Sequence, residues 1–138
     1  MKHWTFLFTF LMLSSLPNSV KAQSIFDLEQ YSYDGDEPIH VEKLCTDSLS
    51  SGFLIWMKEG VKAHFHAKHT EYVMILEGSG EMEMDSVVHT VSPGQLIHIP
   101  QKTIHGVKVS SEAPLKVLSI QTPEFKGMDR IFVRPKKQ

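Results

Sequence analysis

His64-Phe65-His66-Ala67-Lys68-His69-Thr70-Glu71 is the stretch from which the rest of the chain can be read. As a β-strand it alternates faces, so His64 and His66 share one face while Ala63, Phe65 and Ala67 share the other. Two imidazoles placed two residues apart lie about 6–7 Å from each other along the backbone and can lean toward a common point. Glu71 can bring a carboxylate to the same point. A divalent ion of intermediate softness accepts such a mixture of nitrogen and oxygen ligands. The same residues also fit a solvated strand carrying surface histidines, and the cluster alone leaves both readings open.

The flanking sequence supplies the frame. Glu71 to Glu77 is rich in β-branched and aromatic residues and stops at Gly78-Ser79-Gly80, a hairpin signal. Upstream, Phe53, Ile55 and Met57 alternate with Leu54, Trp56 and Lys58, as in a strand covered on both faces. Glu59-Gly60 then turns the chain into the histidine strand. Ile39 to Leu44 alternates weakly, and Thr46 to Gly52 is polar and loop-like. Downstream, Glu81 to Asp85 sets acidic residues against Met82 and Met84, which predicts a half-exposed strand with a solvated Glu81 and Glu83. Val87 to Val91 ends at Ser92-Pro93-Gly94, and Gln95 to Ile99 runs to Pro100. Thr103 to Val109 alternates again, Leu115 to Gln121 is strongly apolar, and Ile131-Phe132-Val133 closes the series weakly. About eight short strands, turn signals every 8–12 residues or so and no convincing helix predict an all-β sandwich or barrel.

Residues 1–22 read differently. Lys2 gives a short positive region, Trp4 to Leu13 is almost continuously apolar, and Pro17 precedes Val20-Lys21-Ala22, which is small at the −1 and −3 positions of a cut before Gln23. That is the pattern of a secretory signal peptide, too short to span a bilayer. Cleavage there leaves 116 of the 138 residues and, with Lys2 and Lys21 gone, moves the net charge from −2 to −4. The expected location is periplasmic or extracellular, with no membrane attachment after cleavage. Mild acidity and the lack of a basic block argue against nucleic acid as a partner. A single cysteine, Cys45, permits no internal disulfide; a buried thiol is the expectation, and stability has to come from packing. Residues 23–51 form an N-terminal arm and the candidate dimer contact, 52–122 the barrel, and 123–138 a C-terminal segment.

His105, in Thr103-Ile104-His105-Gly106-Val107, supplies a third nitrogen if it points inward with Thr103 and Val107. Three imidazoles and one carboxylate leave one or two positions open on an octahedral ion, which a catalytic site needs and a closed structural site lacks.

At this point the chain resembles a single-domain cupin. The first cupin motif is glycine, then His-x-His, three or four residues, glutamate, six residues, and glycine. Gly60, His64, His66, Glu71 and Gly78 follow that order here. The second motif is glycine, five residues, proline, one residue, glycine, two residues, histidine, three residues and asparagine. Gly94, Pro100 and His105 match it, while Lys102 stands in the place of the glycine and Val109 in that of the asparagine. Three residues rather than five separate Gly60 from His64. The resemblance implies a double-stranded β-helix, or jelly roll. It also implies one divalent metal ion (Fe, Mn, Ni or Zn) held by His64, His66, Glu71 and His105, and a homodimer.

Among the remaining polar residues, His69, His40 and His89 read as surface groups and Tyr72 as packing outside the pocket. His98 is a candidate general base. Phe53, Ile55, Met57, Val73, Ile75 and Val107 are candidate pocket walls. The leading function is a metal-dependent enzyme on a small organic substrate, of dioxygenase, isomerase or lyase type, since fold does not select the reaction. The alternatives are a non-catalytic small-molecule or sugar-binding protein, and a structural dimer stabilised by its metal.

Overall fold

The structure is a computed structural model that describes residues 24–133; the signal-peptide reading of residues 1–22 and the basic tail from Arg134 lie outside the described residues. Ten strands follow a single 3-10 turn at Leu28–Gln30. They are β1 (Ile39–Thr46), β2 (Ser51–Met57), β3 (Gly60–His66), β4 (Thr70–Glu77), β5 (Gly80–Met84), β6 (Val87–Val91), β7 (Leu96–Ile99), β8 (His105–Val109), β9 (Leu115–Thr122) and β10 (Arg130–Phe132). The expected count of about eight falls short by the two strands with the faintest alternation. Both are edge strands: one sheet runs β1-β2-β9-β4-β7 and the other β10-β3-β8-β5-β6. No residue of β1 or β10 is fully buried, so neither carries a clear apolar period. Every strand pairing is antiparallel, as the jelly-roll expectation requires.

The core lies between the sheets and is built from alternate side chains. β2 contributes Phe53, Ile55 and Met57, β9 contributes Leu115 and Val117, and β4, β5, β6 and β7 contribute Ile75, Met82, Val91 and Ile99. Facing sheets whose inner side chains interdigitate bury this apolar area from water at roughly 25 cal/mol per Å².

All seven residues of β2 are buried, which requires cover on its outer face as well. The N-terminal arm provides it. The ring of Tyr33 stacks on His40 at 4.1 Å, and both lie against Trp56. Lys116, on β9, is buried beside them; its ammonium donates to the carbonyl oxygen of Leu28 at 2.9 Å and to Oε1 of Glu77 at 2.7 Å. Its Nζ also sits 5.7 Å from the Trp56 ring centroid. Cys45, expected to be a buried thiol, is exposed, because β1 is an edge strand whose register shifts between Lys43 and Cys45.

Two turns fix the entry of the histidine strands. Gly60 has φ +133°, and a Cβ there would stand 2.0 Å from the carbonyl oxygen of Val107, so the first motif's leading glycine is demanded by the close approach of β8. Lys102 has φ 68°, the left-handed conformation that explains why the family pattern places glycine there. Its amide donates to the carbonyl oxygen of His66 at 2.7 Å, tying the loop before His105 to the end of β3.

Candidate metal centre

β3 and β8 pair antiparallel with His64 opposite His105. His66 lies one alternation along β3 from His64, and all three histidines point into the barrel and are buried. One ligand atom from each lies within 4.8 Å of the other two. That is close to the ~4 Å limit for two ligands each about 2.1 Å from a common ion.

Hydrogen bonding selects which nitrogen each ring offers. Nδ1 of His64 donates to the carbonyl oxygen of Lys62 at 2.9 Å, that of His105 to Thr103 at 2.9 Å, and that of His66 to Asp129 at 3.0 Å. A ring that donates from Nδ1 keeps a lone pair on Nε2. The Nε2 atoms of His66 and His105 are buried and have no hydrogen-bond partner. Orphaned buried nitrogens are costly unless something accepts their lone pairs.

Glu71 completes the group from the opposite sheet. Its Oε2 lies 3.4 Å from Nε2 of both His66 and His105, close enough for strong electrostatic contact though the rings are not aimed for a regular hydrogen bond. Its Oε1 accepts from the Ser119 hydroxyl at 2.5 Å and from Nε2 of Gln121 at 3.3 Å. Burial alone would push the Glu71 carboxyl up. The imidazoles of His105 and His66 and the Ser119 hydroxyl outweigh it and hold the group well below the usual carboxylate range. His64 moves the other way in charge preference: burial first, then the neighbouring His105, lower it from 6.5 to about 4 and keep the ring neutral. Three imidazoles and one carboxylate, with the unpartnered Nε2 atoms of His66 and His105 among them, fit a divalent ion by donor set and by geometry.

The apolar core opens onto this group as a cavity of about 60 Å³. Its walls include Ile55, Met57, Val73, Ile75 and Val107, five of the six residues expected to form them. Phe53 is the exception: it is buried edge-on against Phe125, 6.0 Å between ring centroids.

A family model described as "Cupin domain" matches residues 53–121. The chain belongs to the cupin family. This cupin is 30% identical over 97 residues to an uncharacterized protein of Aquifex aeolicus, a match that covers 70% of this chain and 79% of that one. It is 33% identical over 64 residues to quercetin 2,3-dioxygenase of Bacillus subtilis, but the match covers 43% of this chain and 19% of the relative. Among solved structures, KdgF from Halomonas sp. superposes with a TM-score of 0.66 at 20% identity, over 78% of this chain and 99% of that one. The structural likeness speaks to the fold alone.

The cupin's other polar residues depart from the sequence reading in two places. His98 pairs with Tyr72 across β7 and β4 and stacks on its ring at 4.9 Å, on the exposed face of the sheet. Glu71 and Ile99 occupy the inward register, so alternation removes His98 from the cavity and from a general-base role. His69, read as a surface group, is buried. Its Nδ1 lies 2.5 Å from Oδ2 of Asp129 and its Nε2 lies 3.0 Å from the carbonyl oxygen of Glu124, so the ring donates twice when protonated. Asp129 also accepts from the amides of Ala67, Lys68 and His69 at 3.2, 2.8 and 3.2 Å. Burial opposes its ionisation, but the Lys68 amide, the His69 ring and the Ala67 amide lower it below its ordinary value.

Sequence reasoning missed Asp129, Ser119 and Gln121. The last two carried a signal: both are polar residues in the inward register of a strand whose other inward residues are Leu115 and Val117. Asp129 carried none, because its partners lie about sixty residues away.

Proposed function

We propose that this cupin is a metal-dependent enzyme of the oxygenase type, acting on a small and largely apolar substrate. His64, His66, His105 and Glu71 hold the ion. The observation that carries the reading is the convergence of three rings, each held by a backbone carbonyl and two of them with partnerless Nε2 atoms (His66 and His105), beside an apolar cavity lined by His64, Glu71 and His105. Bound there, a redox-active divalent ion such as iron or manganese supplies a place where O₂ and substrate react side by side.

The choice of oxidation over isomerase or lyase chemistry follows from what lines the cavity. Proton-moving reactions need a group free to take and return a proton near neutral pH. The titratable or charged side chains lining this cavity are His64, Glu71, His105 and Arg130. The first three are engaged as ligands, and an arginine keeps its proton. Ser119 and Gln121 hold Glu71 in place, and the backbone carbonyls hold the imidazoles, so the chain's own part is to orient the ion and to exclude water around it. A cavity of about 60 Å³ is small beside the few hundred Å³ of ordinary ligand pockets, which restricts the reacting end of the substrate to a few heavy atoms.

The sequence reading places this activity outside the cytoplasm, after removal of residues 1–22. Mass spectrometry of protein recovered from the host's exported fraction tests that, with a mature N-terminus at Gln23 expected.

Elemental analysis of purified protein, followed by oxygen-electrode assays on iron-loaded protein with small phenols and diketones, tests the function. About one metal ion per chain and substrate-dependent O₂ uptake are expected. Metal without any O₂ uptake, but with tight retention of a small molecule, moves the protein to the binding reading.

A further inference from the structure

We propose that Arg130 is the residue that selects substrate at this site, and that the substrate class is a small anion, a carboxylate joined to a short apolar body. The proposal deepens the reading above and rests on it only for where the reacting end of the molecule lies.

The argument begins with charge. Arg130 lines the cavity, and no other lining residue is cationic by nature. Among the described residues, its guanidinium has no hydrogen-bond or ion-pair partner, although acidic side chains are near in sequence. Each of those is engaged elsewhere. Asp129 faces three amides and His69, and Glu124 lies 3.4 Å from the ammonium of Lys126. An unpaired guanidinium at the rim of an apolar cavity is a bidentate receptor for a planar anion, whose apolar remainder the walls of Val61, Val107 and Ile39 can take.

Placement supports the same use. Arg130 pairs with His66 in the β10–β3 register, so its Cα is fixed beside a candidate metal ligand. The neighbouring Asp129 clamps this part of the chain to the loop after β3 through three backbone amides. A cation mounted on such an anchored strand loses little further freedom when it binds. It also adds positive potential beside the ion's own charge, which favours anionic over neutral molecules.

The test uses full-length protein with butyrate and its neutral isostere butyramide as probes, binding being read by titration calorimetry or NMR shifts in wild type, Arg130→Gln and Arg130→Lys. Wild type is expected to prefer butyrate about tenfold, and the preference should shrink several-fold in 0.5 M salt. Arg130→Gln should abolish the preference while leaving butyramide binding and metal content unchanged, and Arg130→Lys should keep part of it. Equal binding of both probes by wild type overturns the proposal. So does a preference that survives Arg130→Gln, which would place the carboxylate on the ion instead, and so does an equal loss of both probes. Metal content is measured on the same samples. A metal-free wild type that still prefers butyrate through Arg130 removes the metal reading and leaves this one standing.

Discussion

Nδ1 of His66 donates to the backbone carbonyl oxygen of Asp129, 63 residues further along the chain, at 3.0 Å. The side chain of the same aspartate accepts from the amides of residues 67 to 69, immediately after that histidine. One residue thus holds the loop that leaves β3 and sets the tautomer of a histidine on it. Groups that orient a ligating imidazole are commonly worth ten- to a hundredfold in metal affinity. Asp129→Ala keeps the carbonyl that orders His66 but frees the loop that positions it, so metal affinity should fall by up to about tenfold and stability by about 1–3 kcal/mol, since three amides, two of them part-buried, lose their acceptor. Competition with a metallochromic chelator and thermal unfolding of the apo form measure the two effects; metal affinity at the wild-type level would separate Asp129 from the centre.

The ligand set itself makes a graded prediction. His64→Ala with His66→Ala should remove most bound metal, and Glu71→Gln should weaken binding while leaving Ser119 and Gln121 a partner at Oε1. Elemental analysis after dialysis reads this directly. His98→Ala should leave metal content and turnover at the wild-type level, because that ring lies on the outer face against Tyr72.

Acid should destabilise the apo protein over a defined range. His64 is lowered from 6.5 to about 4, so between those values the unfolded chain binds a proton that the folded chain refuses. Stability therefore falls as pH drops from 6.5 toward 4 and levels off for this group below that. Glu71 and Asp129 are also lowered, so each contributes stability above its ordinary carboxylate value and loses it as pH falls through its folded one. All three act in the same direction. Unfolding temperature against pH should decline on the acid side, and His64→Gln should flatten the segment between 6.5 and 4.

Lys116 predicts an effect on the arm without an effect on the metal. Its ammonium holds the Leu28 carbonyl, and its ion pair with the mostly exposed Glu77 adds little in water. Lys116→Met should cost about 1–3 kcal/mol and speed hydrogen exchange in residues 24–38. Metal content should not change. Unaltered exchange in the arm would mean that Tyr33 and Trp56 suffice to hold it.

Much of this architecture was legible in the sequence because its signals are local. The apolar patterns of β2, β4 and β9 reflect burial within one sheet, and the spacing of His64, His66, Glu71 and His105 follows from strand period and turn length. What escaped was either non-local or of one residue. Asp129 looks like any acid in an irregular segment until the fold returns it to Ala67. The turn at Asp85 and Ser86 has φ values of 46° and 74° without a glycine to announce it. His98 was ambiguous because alternation gives two faces but not which of them is inward. The lone thiol was misjudged for a similar reason: a residue type that is usually buried sits on a strand with only one neighbour.

The position of β10 in the chain has a consequence for biogenesis. The backbone oxygen that orders His66 is synthesised 63 residues after that histidine, and the guanidinium beside it follows at once. A nascent polypeptide can already align β3 with β8 and hold the rings of His64 and His105 on the carbonyls of Lys62 and Thr103, yet the ring of His66 still lacks its acceptor. Ion capture at full affinity then has to wait until β10 docks, so a ribosome-stalled chain ending before residue 128 should pair β3 with β8 and remain a poor scavenger of metal.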